Sequence, residues 1–399
     1  MSLELSKKAM GVKPSSTLAI TAKAKKMKAE GRDIVGFGAG EPDFATPENI
    51  CLAAKKAIDN GCTKYTPAAG TVELRQAISN KFKSFNRLDY SVDQIVVSNG
   101  GKHSLTNIFE ALLNPGDEVI IPSPFWLSYP EMVKLCAGVP VFVECPASQD
   151  YKITASQLER AVTDKTKALV LNSPNNPTGM IYTREELQAI ADVAVKKDIY
   201  VIADEMYEYL VYDGNEFVSI ASLNDEIYKR TITCSGLSKS YSMTGWRIGY
   251  AGAPREIAKL MSSIQSHQAS NPNSIAQVAA IEALSGPQEA PEVMRKEFDS
   301  RRKYMYERLS AMPYISAIKP QGAFYVFIDF SKVFDKEYKG ERIENISKVA
   351  QILIDDYLTA VIPCSDFGTP GNIRLSYAIS MEDIKKGLDR IEDFLNTLK

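Results

Sequence analysis

The sequence predicts an open, mainly parallel α/β sheet with helices on both faces, followed by a smaller α+β unit. Three observations carry this. From about residue 46 to residue 300, short Val- and Ile-rich runs, polar on neither face, alternate with helical stretches, the pattern of strands buried on both sides. Beyond residue 300 the pattern becomes a charged helix, two longer strand candidates and an amphipathic C-terminal helix. At 399 residues the chain is also long for a single core, so two domains are expected, one of residues 46–300 and a smaller one joining 1–45 to 301–399.

In chain order, residues 47–60 read as a helix, with Thr46 as N-cap and Pro47 at the first helical position. QIVVS (94–98) is a short apolar strand, followed by Gly100, Gly101 and a helix from Lys102 to about Leu113. Strand candidates follow at DEVIIP (117–122), VPVFVE (139–144), KALVLN (167–172), DIYVIAD (198–204) and TITC (231–234), with a helix over 184–196. In the C-terminal part the strands are AFYVFIDF (323–330) and IRLSYA (373–378), and the last helix begins near Glu382.

Bulk chemistry removes several classes of function. Hydrophobic residues make up 45%, charged residues 24%, and the formal net charge is −2; no basic stripe speaks for a nucleic-acid partner. The six cysteines are scattered without a CxxC pair and there are two histidines, so no metal centre is expected and reduced thiols are the simpler state. No run approaches the ~20 apolar residues of a membrane span, and a cytoplasmic protein is expected.

Ligands of open α/β sheets sit outside the carboxyl ends of the strands, so the residues just beyond each strand carry the most weight. After QIVVS, Gly100 and Gly101 lead into a helix, a tight turn that can also cradle a phosphate on exposed backbone N–H groups. After KALVLN comes SPNNPTG (173–179), a rigid Pro-rich turn that presents Asn176. DIYVIAD ends on Asp204, with Tyr207 three residues on; a carboxylate ending a buried run either caps the next segment or meets a cation. TITC is followed by Ser235, Ser238 and Lys239, and then by Arg247. A lone lysine is usually a solvated surface group, but here the strand ends jointly offer a phosphate cradle, an amide, an anion, a phenol, an amine and a guanidinium. Pyridoxal 5′-phosphate needs that set: a bidentate Arg247 for the phosphate, Asp204 for the protonated ring nitrogen, Asn176 and Tyr207 for the phenolate oxygen, and Lys239 for a Schiff base.

The segments AGEPDF (39–44), KYTPAAG (64–70), NGGK (99–102), PFWLSYPEM (124–132), NSPNNPTG (172–179), ADEMYE (203–208), SKSYSMTGWRIGYA (238–251), GAFYV (322–326) and IRLSYA (373–378) span nearly the whole chain. In that order they resemble the class I aminotransferases of pyridoxal-phosphate fold type I, closest to the bacterial aspartate/prephenate branch. The resemblance implies a large domain with a seven-stranded, mainly parallel sheet and a smaller α+β domain. It makes Lys239, Asp204 and Tyr207 the catalytic residues and implies phosphate contacts from Gly100, Gly101, Arg247 and a serine, Ser235 or Ser238. Trp126 resembles the aromatic residue on the ring face, Arg374 the clamp on the substrate α-carboxylate, and Gly40 the glycine lying over the substrate. Tyr65 resembles a tyrosine that reaches the neighbouring subunit's phosphate, implying a homodimer.

The implied reaction is a ping-pong transfer of the amino group of aspartate or glutamate to a 2-oxo acid such as 2-oxoglutarate. Lys13 and Lys102 occupy places where that branch has lysines serving the distal carboxylate, and each could equally be a surface lysine. Prephenate, kynurenine/glutamine or aromatic aminotransferases and carbon–sulfur β-lyases share the same central residues and stay open. A nicotinamide oxidoreductase is set aside because GFGAG (36–40) runs into Glu41-Pro42 rather than a helix. A hydrolase is set aside because GLSKS (236–240) breaks G-x-S-x-G at its last position.

Overall fold

Seven strands form the central sheet in the chain's structure, a computed structural model that describes residues 5–14 and 16–399. Residues 1–4 and 15, part of the expected 1–45 segment, lie outside the described residues. The strands are β1 (Ile95–Ser98), β2 (Glu118–Ser123), β3 (Val139–Glu144), β4 (Thr166–Asn172), β5 (Tyr200–Asp204), β6 (Thr231–Gly236) and β7 (Gly249–Gly252). Their spatial order is β1-β7-β6-β5-β4-β2-β3, and every neighbouring pair is parallel except the two made by β7.

Side-chain alternation explains why these runs looked apolar throughout. Ile121, Val170 and Ile202 face one core with Leu105, Ile108 and Phe109 of α1 (Gly101–Leu112). Ile120, Leu169 and Val201 face the opposite core with Leu187 and Ile190 of α2 (Arg184–Lys196). These three strands, β2, β4 and β5, therefore bury both faces under helices. At the N-terminus of α2, Thr183 and Glu186 exchange side-chain and backbone hydrogen bonds in a capping box.

Three expectations need correction. β3 is the sheet edge and only half buried, with Val139 and Phe142 exposed, so its hydrophobicity did not mean burial on both sides. Thr46 does not cap the helix Glu48–Asp59. Pro47 occupies the cap position, and the Thr46 hydroxyl instead donates to Ser242 O at 2.6 Å and accepts from Trp246 Nε1 at 2.9 Å. β7 was not anticipated. Its sequence, Gly-Tyr-Ala-Gly, is too short and glycine-rich to read as a strand, and only its neighbours define it.

A second, antiparallel sheet has the order β10-β11-β9-β8. Its strands are β8 (Ser316–Ile318), β9 (Tyr325–Asp329), β10 (Ile362–Pro363) and β11 (Asn372–Ser376). Helices α4 (Glu289–Ser310) and α5 (Met381–Asn396), with α3 (Arg255–Gln268) preceding them, follow the central sheet. Phe298, Leu309, Ile328, Leu375, Leu388 and Phe394 share one core with Val35 and Phe37 from the N-terminal part, where Val35 pairs with Thr359. Helix α4 runs through residue 300 without a break. Among the described residues no helix is long and apolar enough to cross a membrane.

Candidate active site

At the carboxyl ends of β1, β4, β5 and β6, opposite β9 and β11, lies a cavity of about 260 Å³. Four basic side chains line it (Lys102, Lys239, Arg247 and Arg374) against one acidic one, Asp204, among the described residues. A cavity with that balance selects anions.

The turn after β1 is built around a close approach. Gly100 has φ of 88°, and a Cβ there would meet Arg247 Nη2 at 2.3 Å, so a side chain at that position would displace the guanidinium. Arg247 is itself left-handed, with φ of 56°, and donates to Thr244 O at 2.9 Å and Asn99 O at 3.3 Å. The guanidinium therefore stands beside the amino end of α1, where backbone N–H groups and the helix dipole favour an anion.

From β4 and β5 come the polar groups of the cavity floor. Asp204 is 5% exposed; its carboxylate accepts from Tyr129 Oη at 2.6 Å and from Met206 N at 3.2 Å. Burial pushes its carboxyl above the usual range, while those hydrogen bonds and the Lys239 charge pull the other way. No cation is among its hydrogen-bond donors, so a ligand bearing an N–H⁺ fits there. Asn172 donates to Asp204 O at 2.9 Å and accepts from Asn176 N at 2.8 Å, which ties the Pro-rich turn to β5. Tyr207 shares a 2.9 Å hydrogen bond with Tyr325. Burial, then Tyr325, hold its phenol well above the ordinary value, so it stays protonated and can donate.

Lys239 follows β6 and donates to Gly40 O. Burial pushes its ammonium down to about 8, Glu41 opposes this, and the Arg374 and Arg247 charges add to it. A substantial share of this amine is thus neutral near pH 8, as a nucleophile or base requires. Lys102 lies 5.0 Å from the Trp126 ring centroid, and its pKa is lowered by burial and then by Arg247.

Across the cavity, β11 contributes Arg374, 2% exposed. Its Nη1 donates to Asn176 Oδ1 at 2.8 Å and its Nη2 to Gly38 O at 3.4 Å. Its Nε is buried without a partner. The Asn176 carbonyl is thereby occupied, which leaves its NH₂ as the group able to donate.

Two of the expected residues, Ser235 and Lys13, are not among those lining the cavity. Ser235 is fully buried and donates to Glu208 Oε1 at 2.6 Å, behind the sheet; Ser238 is the serine that lines the cavity. Lys13 does not line it either. Its backbone N–H is bound to Glu131 Oε2 at 3.2 Å, and it borders a neighbouring hollow with Phe125 and Phe142. Tyr65 is 89% exposed and away from the cavity. Gly40, Gly101, Trp126, Asn176 and Tyr207 are all brought together there.

Sequence reasoning missed Tyr129, Asn172 and Tyr325 as site residues. Tyr129 stands three positions after Trp126, in the first turn of the helix Ser128–Leu135, and their rings meet edge to face at 5.4 Å. Asn172 is the last residue of β4, which the strand-end rule singles out. Tyr325 carried no signal beyond its place in an aromatic strand.

Likeness to known proteins extends over the whole chain. The sequence pattern described as Aminotransferase class I and II matches residues 32–391. An aspartate aminotransferase of Bacillus sp. (strain YM-2) is 51% identical over 382 residues, 96% of each chain. An aspartate/prephenate aminotransferase of Cereibacter sphaeroides is 47% identical over 385 residues, again 96% of each. Among solved structures, the aspartate aminotransferase from Rhizobium meliloti gives a TM-score of 0.96 at 41% identity, covering 100% of both chains. That from Thermus thermophilus with maleate gives 0.93 at 42% identity, covering 99% of this chain and 100% of its own.

Proposed function

We infer the activity from one premise: the chain belongs to the class I and II aminotransferase family, on the branch of the bacterial aspartate and aspartate/prephenate enzymes. The reaction is transfer of the amino group of L-aspartate, or L-glutamate, to a 2-oxo acid such as 2-oxoglutarate, in two half-reactions on pyridoxal phosphate. The observation that carries this reading is the cavity's charge, four cations against one carboxylate. A phosphate, an α-carboxylate and a distal carboxylate each then have a basic partner.

The donor set fits the cofactor. The N–H groups of Gly100 and Gly101, with Ser238 and Arg247, would hold the phosphate, and a side chain at residue 100 would fill that cradle. Asp204 would meet the ring nitrogen, Asn176 and Tyr207 would donate to the ring oxygen, and Trp126 would pack on the ring. When bound, the cofactor supplies an aldehyde for the amine and a protonated ring that delocalises the electrons left at the substrate Cα. Lys239 Nζ, its pKa brought down to about 8 by burial, would take the proton from that Cα and deliver it to the carbon that had been the cofactor's aldehyde, which leaves the amino group on the cofactor. Arg374 grips the α-carboxylate with a planar fork, and its unpartnered Nε supports this role. Lys102 serves the distal carboxylate. Maleate, a four-carbon dicarboxylate in the Thermus thermophilus structure, and the aspartate enzymes among the relatives support a dicarboxylic substrate; prephenate is a further acceptor suggested by relatives' names.

Residues 46–300 form the large domain and 1–45 with 301–399 the small one, with α4 as connector. Lys239 and Arg374 then come from different domains, and closure over substrate excludes water. Two copies form a homodimer in which Tyr65, 89% exposed here, reaches the other copy's phosphate. Six free thiols support a reducing, cytoplasmic location.

The test is a panel of amino donors with 2-oxoglutarate and added pyridoxal phosphate, run with Lys239→Ala beside the parent chain. Aspartate is expected to rank first, and the variant to lose both turnover and the pH-dependent absorbance of the bound cofactor. Near-normal turnover without Lys239 would overturn the mechanism; a ranking with aspartate below alanine or kynurenine would overturn the substrate.

A further inference from the structure

Glu205 and Glu208 leave the same turn as Asp204 and Tyr207 but on its opposite side. Asp204 and Tyr207 line the cavity. The two glutamates enter a polar cluster behind it with Lys81, Asn86, Ser219 and Ser235, every member 5% exposed or less. Lys81 Nζ pairs with Glu208 Oε1 and donates to Asn86 Oδ1 at 2.9 Å. The Asn86 amide donates to Glu205 Oε2 at 2.8 Å and to Glu208 Oε2 at 2.7 Å. Ser219 donates to Glu205 Oε1 at 2.5 Å, and Ser235 to Glu208 Oε1 at 2.6 Å. All four carboxyl oxygens are therefore met. The ammonium is confined further by the rings of Phe82, Phe85, Tyr209 and Tyr250, at 5.1, 5.3, 5.6 and 5.9 Å.

Such a cluster is a poor device for stability alone, because well-packed apolar side chains of the same volume commonly serve as well or better. What it supplies is a defined orientation. The turn itself has few main-chain ties: Ser173 N to Asp204 O at 3.2 Å, Glu205 N to Cys234 O at 2.8 Å, Glu208 N to Glu205 O at 3.0 Å and Leu210 N to Tyr207 O at 2.8 Å. Five side-chain hydrogen bonds reach the turn's glutamates from behind and outnumber them, and they come from three separate parts of the chain.

We propose that Lys81, Asn86, Glu205 and Glu208 are positioning residues, a buried clamp that fixes the 204–208 turn and thereby the stations of Asp204 and Tyr207 in the cavity. The inference rests on the reading of that cavity as a pyridoxal-phosphate site. Burial and the neighbouring Glu208 push the Glu205 carboxyl up to about 8, while the hydrogen bonds from Ser219 and Asn86 and the Lys81 charge pull the other way.

The experiment replaces the ion pair by apolar side chains in the full chain, Lys81→Met with Glu208→Leu, and compares it with the parent in three measurements. These are the melting temperature without cofactor, the pH midpoint of the bound cofactor's absorbance, and kcat and KM for aspartate. The parent must first take up pyridoxal phosphate; if it does not, the cofactor reading itself falls, and that result is separate from anything the variant does. The clamp predicts a melting temperature held within a few degrees, since apolar replacement of a buried pair is close to neutral. It predicts a kcat at least about tenfold lower with KM within about threefold, the signature of lost transition-state alignment, and a shifted absorbance midpoint. A variant that melts with the parent and keeps its kcat and midpoint overturns the proposal. Should the double variant fail to fold, Ser235→Ala removes one hydrogen bond to Glu208 without leaving a charge unpaired. It is expected to lower kcat about threefold, worth one modest hydrogen bond, and to move the midpoint the same way; an unchanged kcat and midpoint there overturns the clamp equally.

Discussion

The two sheets that meet at the cavity equip it in opposite ways. The seven-stranded sheet delivers groups that already have protein partners: Asp204 is held by Tyr129 and Met206, Asn172 by Asp204 and Asn176, and Tyr207 by Tyr325. The four-stranded sheet delivers Arg374 with its Nε unpartnered and one of its two contacts stretched to 3.4 Å. A surface whose groups are already anchored by protein partners is shaped for something that stays, whereas a buried guanidinium with a free N–H is shaped for an anion that comes and goes. On the proposed function, the cofactor belongs to one side and the turning-over substrate to the other.

That division can be broken. Arg374→Ala is expected to lower kcat/KM for aspartate about 10³-fold, or ~4 kcal/mol, with cofactor affinity little changed. Arg374→Lys should recover little, because a point charge cannot reproduce the fork. A variant that loses cofactor and substrate together would erase the distinction between the sides. A smaller effect sharpens it. Lys102→Ala should reduce kcat/KM for aspartate about tenfold more than for alanine, the worth of one charge-assisted contact. Lys13→Ala should leave that ratio alone, since Lys13 borders a different hollow. Equal losses for both substrates in Lys102→Ala would remove its distal-carboxylate role.

The smallest effect concerns stability. The folded Lys239 titrates near 8 against an ordinary 10.5, so between those values the unfolded chain binds the extra proton and wild-type stability rises with pH. Below pH 8 the full penalty of burying that ammonium is present. Lys239→Met should therefore melt a few degrees higher than the parent at pH 7 without cofactor, with the gap closing as pH approaches 10.5. A gap constant across that window, read by calorimetry, would mean that the lysine's charge is not the cause.

Much of this was legible in the sequence because strand ends carry both the fold and the chemistry. Asp204, Asn176 and Lys239 each come after an apolar run whose burial is readable, and the chain's order of motifs did the rest. What escaped was decided by neighbours distant in sequence. β7 exists because β1 and β6 flank it. Thr46 leaves its cap position for Ser242 and Trp246, about 200 residues away. Ser235 lies inside β6 and is turned to Glu208, whereas Ser238, past the strand's end, lines the cavity. None of these is a local property of the residues concerned.

Gly249 of β7 lies so close to the Gly100–Gly101 turn that a Cβ on it would reach Gly101 N at 2.2 Å. Arg247, two residues before it, stands beneath the same turn. The anion seat is thus assembled from two stretches of chain almost 150 residues apart, and neither half is a seat alone. Arg247 and the Gly100–Gly101 amides meet only where β7 lies antiparallel between β1 and β6. On the proposed function, binding of a phosphate-bearing molecule would therefore require the central sheet to be complete.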